Sequence, residues 1–217
     1  MSKLSVLFIA LALLAANGAS AQSIEDVYIT MPDRINPLLT QTQRVELLKY
    51  HKLEQGDSVI NQYGTGTVLL ELDTVNRYIN IRNTDVSQIE IQLFPYKKEY
   101  VIGLIHTFCG NICHSTIRFF NRQWEEITVH FPHPHAKDWI DADKFDDEAI
   151  DMYNFVNNLV DIDFIEMHFR PAEKQIIAEN NTPDFLSKKD KEFLQPFLKQ
   201  QPFIYHYDGV KWVCLNR

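Results

Sequence analysis

Gln88-Ile89-Glu90-Ile91-Gln92-Leu93 alternates polar and apolar residues without a break, and Val101-Ile102-Gly103-Leu104-Ile105, a little further on, is almost wholly apolar. A period of two marks a strand with one covered face. Ile89, Ile91 and Leu93 are therefore expected in a core, and Gln88, Glu90 and Gln92 in water. The apolar run reads as a central strand covered by a helix. Upstream, Val68 to Leu72 and Tyr78 to Arg82 are two more strands joined by a short polar turn, and Gly64-Thr65-Gly66 is a hairpin turn. Downstream, Ser115 to Phe120 pairs back and Trp124 to Thr128 completes an antiparallel meander.

Helix signals flank this run. Ser23-Ile24-Glu25-Asp26 and Thr40-Gln41-Thr42-Gln43 are capping boxes, and Pro32 ends the first helix. In the second, Val45, Leu48 and Lys52 share a face, flanked by Leu47 and Tyr50, and Gly56 is placed for the stop. Beyond His130-Phe131-Pro132-His133-Pro134-His135 the composition turns acidic, from Asp138 to Asp151. Phe145, Ala149, Met152, Val156 and Leu159 form one helical stripe there, with Asp146, Asp147 and Glu148 in its first turn. Strands resume at Ile162 to Phe169 and Gln175 to Glu179, around Pro171-Ala172-Glu173. Ser187 caps a short helix that Pro196 ends. Phe203 to Tyr207 and Lys211 to Leu215 close as a hairpin about Asp208-Gly209.

The expected fold is α+β: antiparallel β-meander sheets with packed helices. Both halves run from a capped helix through strands to an aromatic hairpin, and Phe119 to Trp124 parallels Tyr207 to Trp212. That similarity suggests a tandem helix-plus-sheet pseudo-repeat, with halves at 22–130 and 138–217 and a Pro/His connector at 131–137. One α+β domain with a reduced second sheet is the alternative.

The 217 residues are 45% hydrophobic and 23% charged, with 7 Gly and 9 Pro, which is globular composition. A net charge of -8 argues against nucleic acid as a partner. Met1-Ser2-Lys3, the apolar run Leu4 to Ala16 and Ala19-Ser20-Ala21 make a secretory signal peptide over 1–21. Cleavage after Ala21 would leave a mature chain starting at Gln22. The apolar run falls short of the roughly 20 residues that span a bilayer, and no cysteine follows it for lipid attachment. The expectation is a soluble protein of the periplasm or extracellular space with no stable membrane anchor.

Three cysteines do not make a disulfide scaffold. In an oxidising compartment Cys109 and Cys113 are expected to pair across a hairpin tip, provided Gly110-Asn111-Ile112 is a three-residue loop. A two-residue turn at Gly110-Asn111 would instead send Cys113 to the opposite face. Cys214 reads as a small buried apolar residue.

The opening Ser-Ile-x-Asp-x-x-x-x-Met-Pro-Asp at 23–33, the Cys109 to Cys113 hairpin, Asp163-Phe164-Ile165, Leu186-Ser187 and the ending Tyr207 to Trp212 occur in order. Together with the leader they resemble a domain-of-unknown-function family of small exported proteins from Bacteroidales. The resemblance spans nearly all of the mature chain. It implies a secreted α+β protein with no assigned activity and no functional residues to carry over.

The chain has no Gly-x-Ser-x-Gly elbow, no Gly-rich phosphate loop and no His-Glu-x-x-His. His130, His133 and His135 are weak metal candidates, with Asp138 and Asp141 to complete a site. The prolines between them hold the segment extended and turn the imidazoles apart, so no metal is expected. Asp141-Ala142-Asp143 lacks the Gly and Glu of a calcium loop, having Asp146 and Met152 in those places. Cys109 to Cys113-His114 is one residue too long for haem attachment, and no cofactor is expected. No residue is nominated as catalytic. The aromatic content of 12% and the two Trp-bearing hairpins favour a non-enzymatic module that binds a protein or small ligand. A cell-envelope hydrolase with an acidic or His-based site is the alternative.

Overall fold

Two reciprocal caps open the first two described helices. Ser23 and Asp26 exchange side-chain and backbone bonds to open α1 (Ile24–Thr30), and Thr40 and Gln43 do the same for α2 (Gln41–Lys52). The structure, a computed structural model, describes residues 22–97, 99–146 and 149–216. The buried face of α2 is Arg44, Leu47 and Leu48; of the expected Val45, Leu48 and Lys52, Leu48 is buried and the other two are exposed. The cause is Arg44. Its guanidinium donates to the main-chain oxygens of Ile29, Met31 and Leu39, binding α2 to the C-terminal end of α1 and leaving Val45 exposed.

Six strands follow, each antiparallel to the next: β1 (Ser58–Ile60), β2 (Gly66–Asp73), β3 (Tyr78–Thr84), β4 (Ser87–Tyr96), β5 (Glu99–Cys109) and β6 (Cys113–Phe120). The expected last strand of this meander, Trp124 to Thr128, is absent apart from a single bridge between Phe120 and Glu126. The Asn121 carboxamide instead accepts the backbone N–H of Gln123 and Glu125, folding a tight turn. The turn delivers the Trp124 indole to the carbonyl of Val27, 3.2 Å away.

α3 (Ile150–Leu159) leads into a second antiparallel sheet, β7 (Ile165–Arg170), β8 (Gln175–Asn180), β9 (Phe203–Tyr207) and β10 (Trp212–Cys214), in the order β10-β9-β8-β7. α4 (Thr182–Phe185) and α5 (Lys188–Leu194) lie between β8 and β9. The expected helix from Phe145 begins at Ile150, where Ala149 at the N-cap makes no side-chain capping bond. Of its apolar stripe, Val156 is buried and Met152 is exposed. Asp147 and Glu148 lie outside the described residues. The fold is α+β with two antiparallel sheets, as the sequence led us to expect.

The larger sheet is covered on both faces. α1 and α2 pack on Ile79, Ile81, Ile89, Ile91, Ile102 and Leu104. Tyr78, Phe94, Val101, Ile105, Ile117 and Phe119, on the opposite face, join the second sheet, Phe131, Trp139, Val156 and Leu194 in another apolar cluster. This corrects the reading of β4. Glu90 and Gln92 do not face water; each is 1% exposed. Register places them opposite Ile105 and Gly103, on the face the second sheet covers.

Candidate functional site

The seam between the sheets explains why polar residues stand on a buried face. β7 is an edge strand, and the backbone N–H groups of Ile165, Met167 and Phe169 have no neighbouring strand to take them. They donate to His114 Nδ1 (3.3 Å), Ser115 Oγ (2.9 Å) and Glu90 Oε2 (3.0 Å) on the larger sheet. Gln92 Nε2 extends the ladder by donating to the carbonyl of Pro171 at 3.0 Å. Side chains of one sheet thus do for the edge of the other what a strand would do.

Glu90 is the hub of this ladder. It also accepts from the Tyr78 hydroxyl at 3.0 Å and from His168 Nδ1 at 2.6 Å. Burial and the Glu90 charge push the Tyr78 hydroxyl far up. His168 Nε2 lies 3.2 Å from Glu166 Oε1, and Glu166 Oε2 accepts from Asn181 Nδ2 at 2.9 Å. The hydrogen bond to Glu90, with the charges of both carboxylates, raises His168 to about 9 against the opposing effect of burial. At neutral pH it is an imidazolium donating from both nitrogens.

Further along the seam the two sheets leave an opening. Phe94, Val101 and Phe119 on one side and Tyr207, Val210 and Trp212 on the other wall a cavity of about 160 Å³, with Ile127 and Val129 also in its lining. The rings meet edge-on, Phe94 lying 5.4 Å from Tyr207 and 4.9 Å from Trp212. Gly103 makes room for them: a Cβ there would stand 2.8 Å from Phe94 Cε2 and 3.0 Å from Phe169 Cζ. Polar groups in the lining come from Thr128 and His130, both exposed, and from the hydroxyl-bearing Tyr96 and Tyr207. The size suits one aromatic ring.

The three candidate histidines go to three places. His130 is at the rim of this slot. His133 packs edge-on to Phe131 at 5.1 Å, where burial and then the neighbouring His135 lower its pKa. His135 Nδ1 is 2.8 Å from Asp163 Oδ2. Among the described residues the three do not gather at metal-ligand spacing, whereas Cys109, Cys113 and Glu166 do. Cys109 pairs directly with Cys113, so the loop has three residues, and the sulfurs stand at disulfide distance, 2.03 Å. Cys214 is free and half-buried. Ala19 and Ala21 lie outside the described residues. Gln22 is held by the Tyr100 hydroxyl (2.6 Å, to its side-chain oxygen) and by the Arg77 guanidinium (2.9 Å, to its main-chain oxygen).

Sequence reasoning passed over Glu90, Glu166 and His168, and also over Ser87 and His106. Ser87 Oγ lies 3.0 Å from His106 Nε2, and burial, helped by Arg118, drops His106 to about 4. A second cleft of about 300 Å³ beside β8 is lined by Trp139, Asn180, Asn181, Gln195, Leu198 and Lys199 among others. Its Lys191 and Asp184 are already paired with each other.

Residues 16–212 match a family described as Protein of unknown function (DUF3256). The chain belongs to that family. A solved structure of a domain of an uncharacterized protein from Porphyromonas gingivalis W83, a Bacteroidales organism, shares the fold of this DUF3256 chain. The TM-score is 0.75 at 16% identity, over 89% of this chain and 98% of that one. Identity at that level shows the fold alone. No curated protein matches the chain. Among the described residues no helix is long and apolar enough to cross a membrane.

Proposed function

We propose that this DUF3256 protein is an exported binding module that takes one apolar ring, presented by a partner protein, into the slot between its two sheets. The observation that carries the reading is the opening itself. Phe94, Val101 and Phe119 of one sheet and Tyr207 and Trp212 of the other meet around a space the size of a single ring, and Tyr96, Thr128, His130 and Tyr207 in its lining offer hydrogen-bonding groups. Interfaces draw most of their affinity from such pockets, where one buried aromatic anchor is desolvated and a polar rim fixes its direction.

The histidines favour binding over hydrolysis. A general base works best with a pKa near the operating pH. His168 holds its proton past neutrality, and both its nitrogens are engaged. His106 meets Ser87 in the geometry of a nucleophile and base, but at about 4 it is a weak proton acceptor. No carboxylate among the described residues hydrogen-bonds it to complete a triad.

N-acetylphenylalaninamide titrated into the mature chain tests the slot. Saturable NMR shifts at the Trp212 indole and the His130 imidazole are expected, and Thr128→Arg, which closes the rim, should abolish them. Shifts elsewhere, or shifts that survive Thr128→Arg, would count against the slot. The exported location has its own check. Mass spectrometry of the native protein should find a chain beginning at Gln22, and a chain beginning at Met1 in the exported fraction would refute it.

A further inference from the structure

The tip of the β5–β6 hairpin carries an arrangement that the slot does not use. Cys109 and Cys113 face each other across the loop, and a carboxylate oxygen of Glu166 on β7 lies within 4.8 Å of both sulfurs. All three residues are half-buried. While the sulfurs are bonded to each other they are poor ligands. Separated as thiolates, they and the carboxylate supply three of the four ligands that zinc takes. We propose that reduction of the Cys109–Cys113 bond turns this tip into a zinc site, with the two thiolates and Glu166 as ligands.

The groups around the trio support it. Asn181 Nδ2 donates to Glu166 Oε2 at 2.9 Å and to the carbonyl of Cys113 at 3.4 Å, fixing the carboxylate against the hairpin. His168, outside the trio, lies beside Glu166 and is itself oriented by Glu90 through Nδ1. Outer partners of this kind hold a ligand set in place and tune its affinity. The frame does not depend on the bond between the sulfurs. β5 and β6 are paired from Ile102↔Phe120 to Cys109↔Cys113, and His114 and Ser115 also hold β7. Thiolate ligands select zinc over magnesium or calcium.

Opening the site takes two steps. A dithiol reductant delivers two electrons and two protons to the Cys109–Cys113 bond, which breaks to two thiols as the reductant closes to its own disulfide. The metal ion then displaces both thiol protons to solvent and forms two metal–sulfur bonds. Binding is therefore gated: closed in the oxidised chain and open in the reduced one.

Cobalt(II) is the probe, added to the mature Cys214→Ser chain before and after reduction by a phosphine. The reduced chain should bind one ion with sulfur-to-cobalt charge-transfer absorption and the intense visible bands of a tetrahedral site, which zinc then bleaches. The oxidised chain should show neither. Cys113→Ser should abolish the charge-transfer band, and Glu166→Gln should weaken binding about tenfold or more. Near-UV circular dichroism, which reports the packed tryptophans, should persist on reduction. The proposal is overturned by a reduced chain without the charge-transfer band, by Cys113→Ser or Glu166→Gln binding as tightly as the parent, or by loss of the near-UV signal on reduction.

Discussion

Three donors converge on the buried Glu90 carboxylate: the Tyr78 hydroxyl, the Phe169 backbone N–H and the His168 imidazolium. Buried carboxylates persist where both oxygens are hydrogen-bonded in this way. Glu90→Gln removes the charge and should cost about 2 kcal/mol at neutral pH. The pH dependence follows from His168, whose folded pKa of about 9 lies above its ordinary 6.5. Its stabilisation is complete below pH 6.5 and is lost as pH rises through about 9. Denaturant unfolding across that window should show stability falling with pH in the oxidised wild type and a flatter profile in Glu90→Gln. Equal slopes would mean that Glu90 does not hold the proton. Gly103 offers a steric test on the same face. Gly103→Ala places a methyl 2.8 Å from the Phe94 ring and should lower stability by about 1–3 kcal/mol. An unchanged urea midpoint would show that the rings yield more easily than the packing suggests.

Among the elements, the hairpin β5–β6 sets the thiol count. With Cys109 and Cys113 opposite each other and Cys214 free, unfolded but unreduced protein should titrate one thiol per chain, and three would show that the pair is not bonded. The same neighbourhood shows what could be read from the chain. Strands β2 to β6, the two capping boxes and the closing hairpin all follow from local period and turn chemistry, because those signals lie within a few residues of each other. The alternation of β4 points the wrong way for want of one long-range step. Val101 to Ile105 is apolar on both sides, so whatever pairs with it must also be covered on both sides, and Glu90 is opposite Ile105. Taken together, the two strands already place Glu90 under cover, although neither does so alone. Trp124 misled for the opposite reason. An aromatic in a β-like pattern is a turn residue here, with φ 60°, because the Asn121 side chain outbids the ladder for its neighbours' N–H groups.

At the scale of the molecule, one sheet rests an edge on the face of another. The partners in that contact are far apart in sequence: Glu90 meets His168 and Phe169, and Ser115 meets Met167. No local pattern encodes such pairs, so His168 and Glu166 gave no signal, and the aromatic slot went unseen although its aromatics were in plain view. The slot lies across this docking, since Phe94 and Phe119 of one sheet meet Tyr207 and Trp212 of the other. Amide hydrogen exchange measures that seating residue by residue. The N–H groups of Met167 and Phe169 would exchange quickly on a free edge strand, because water reaches them without any unfolding. Bonded to Ser115 and Glu90, they should exchange as slowly as the interior amides of β8 and β9. Rapid exchange at both, with β8 and β9 still protected, would show that the edge is open and the seam between the sheets does not exist.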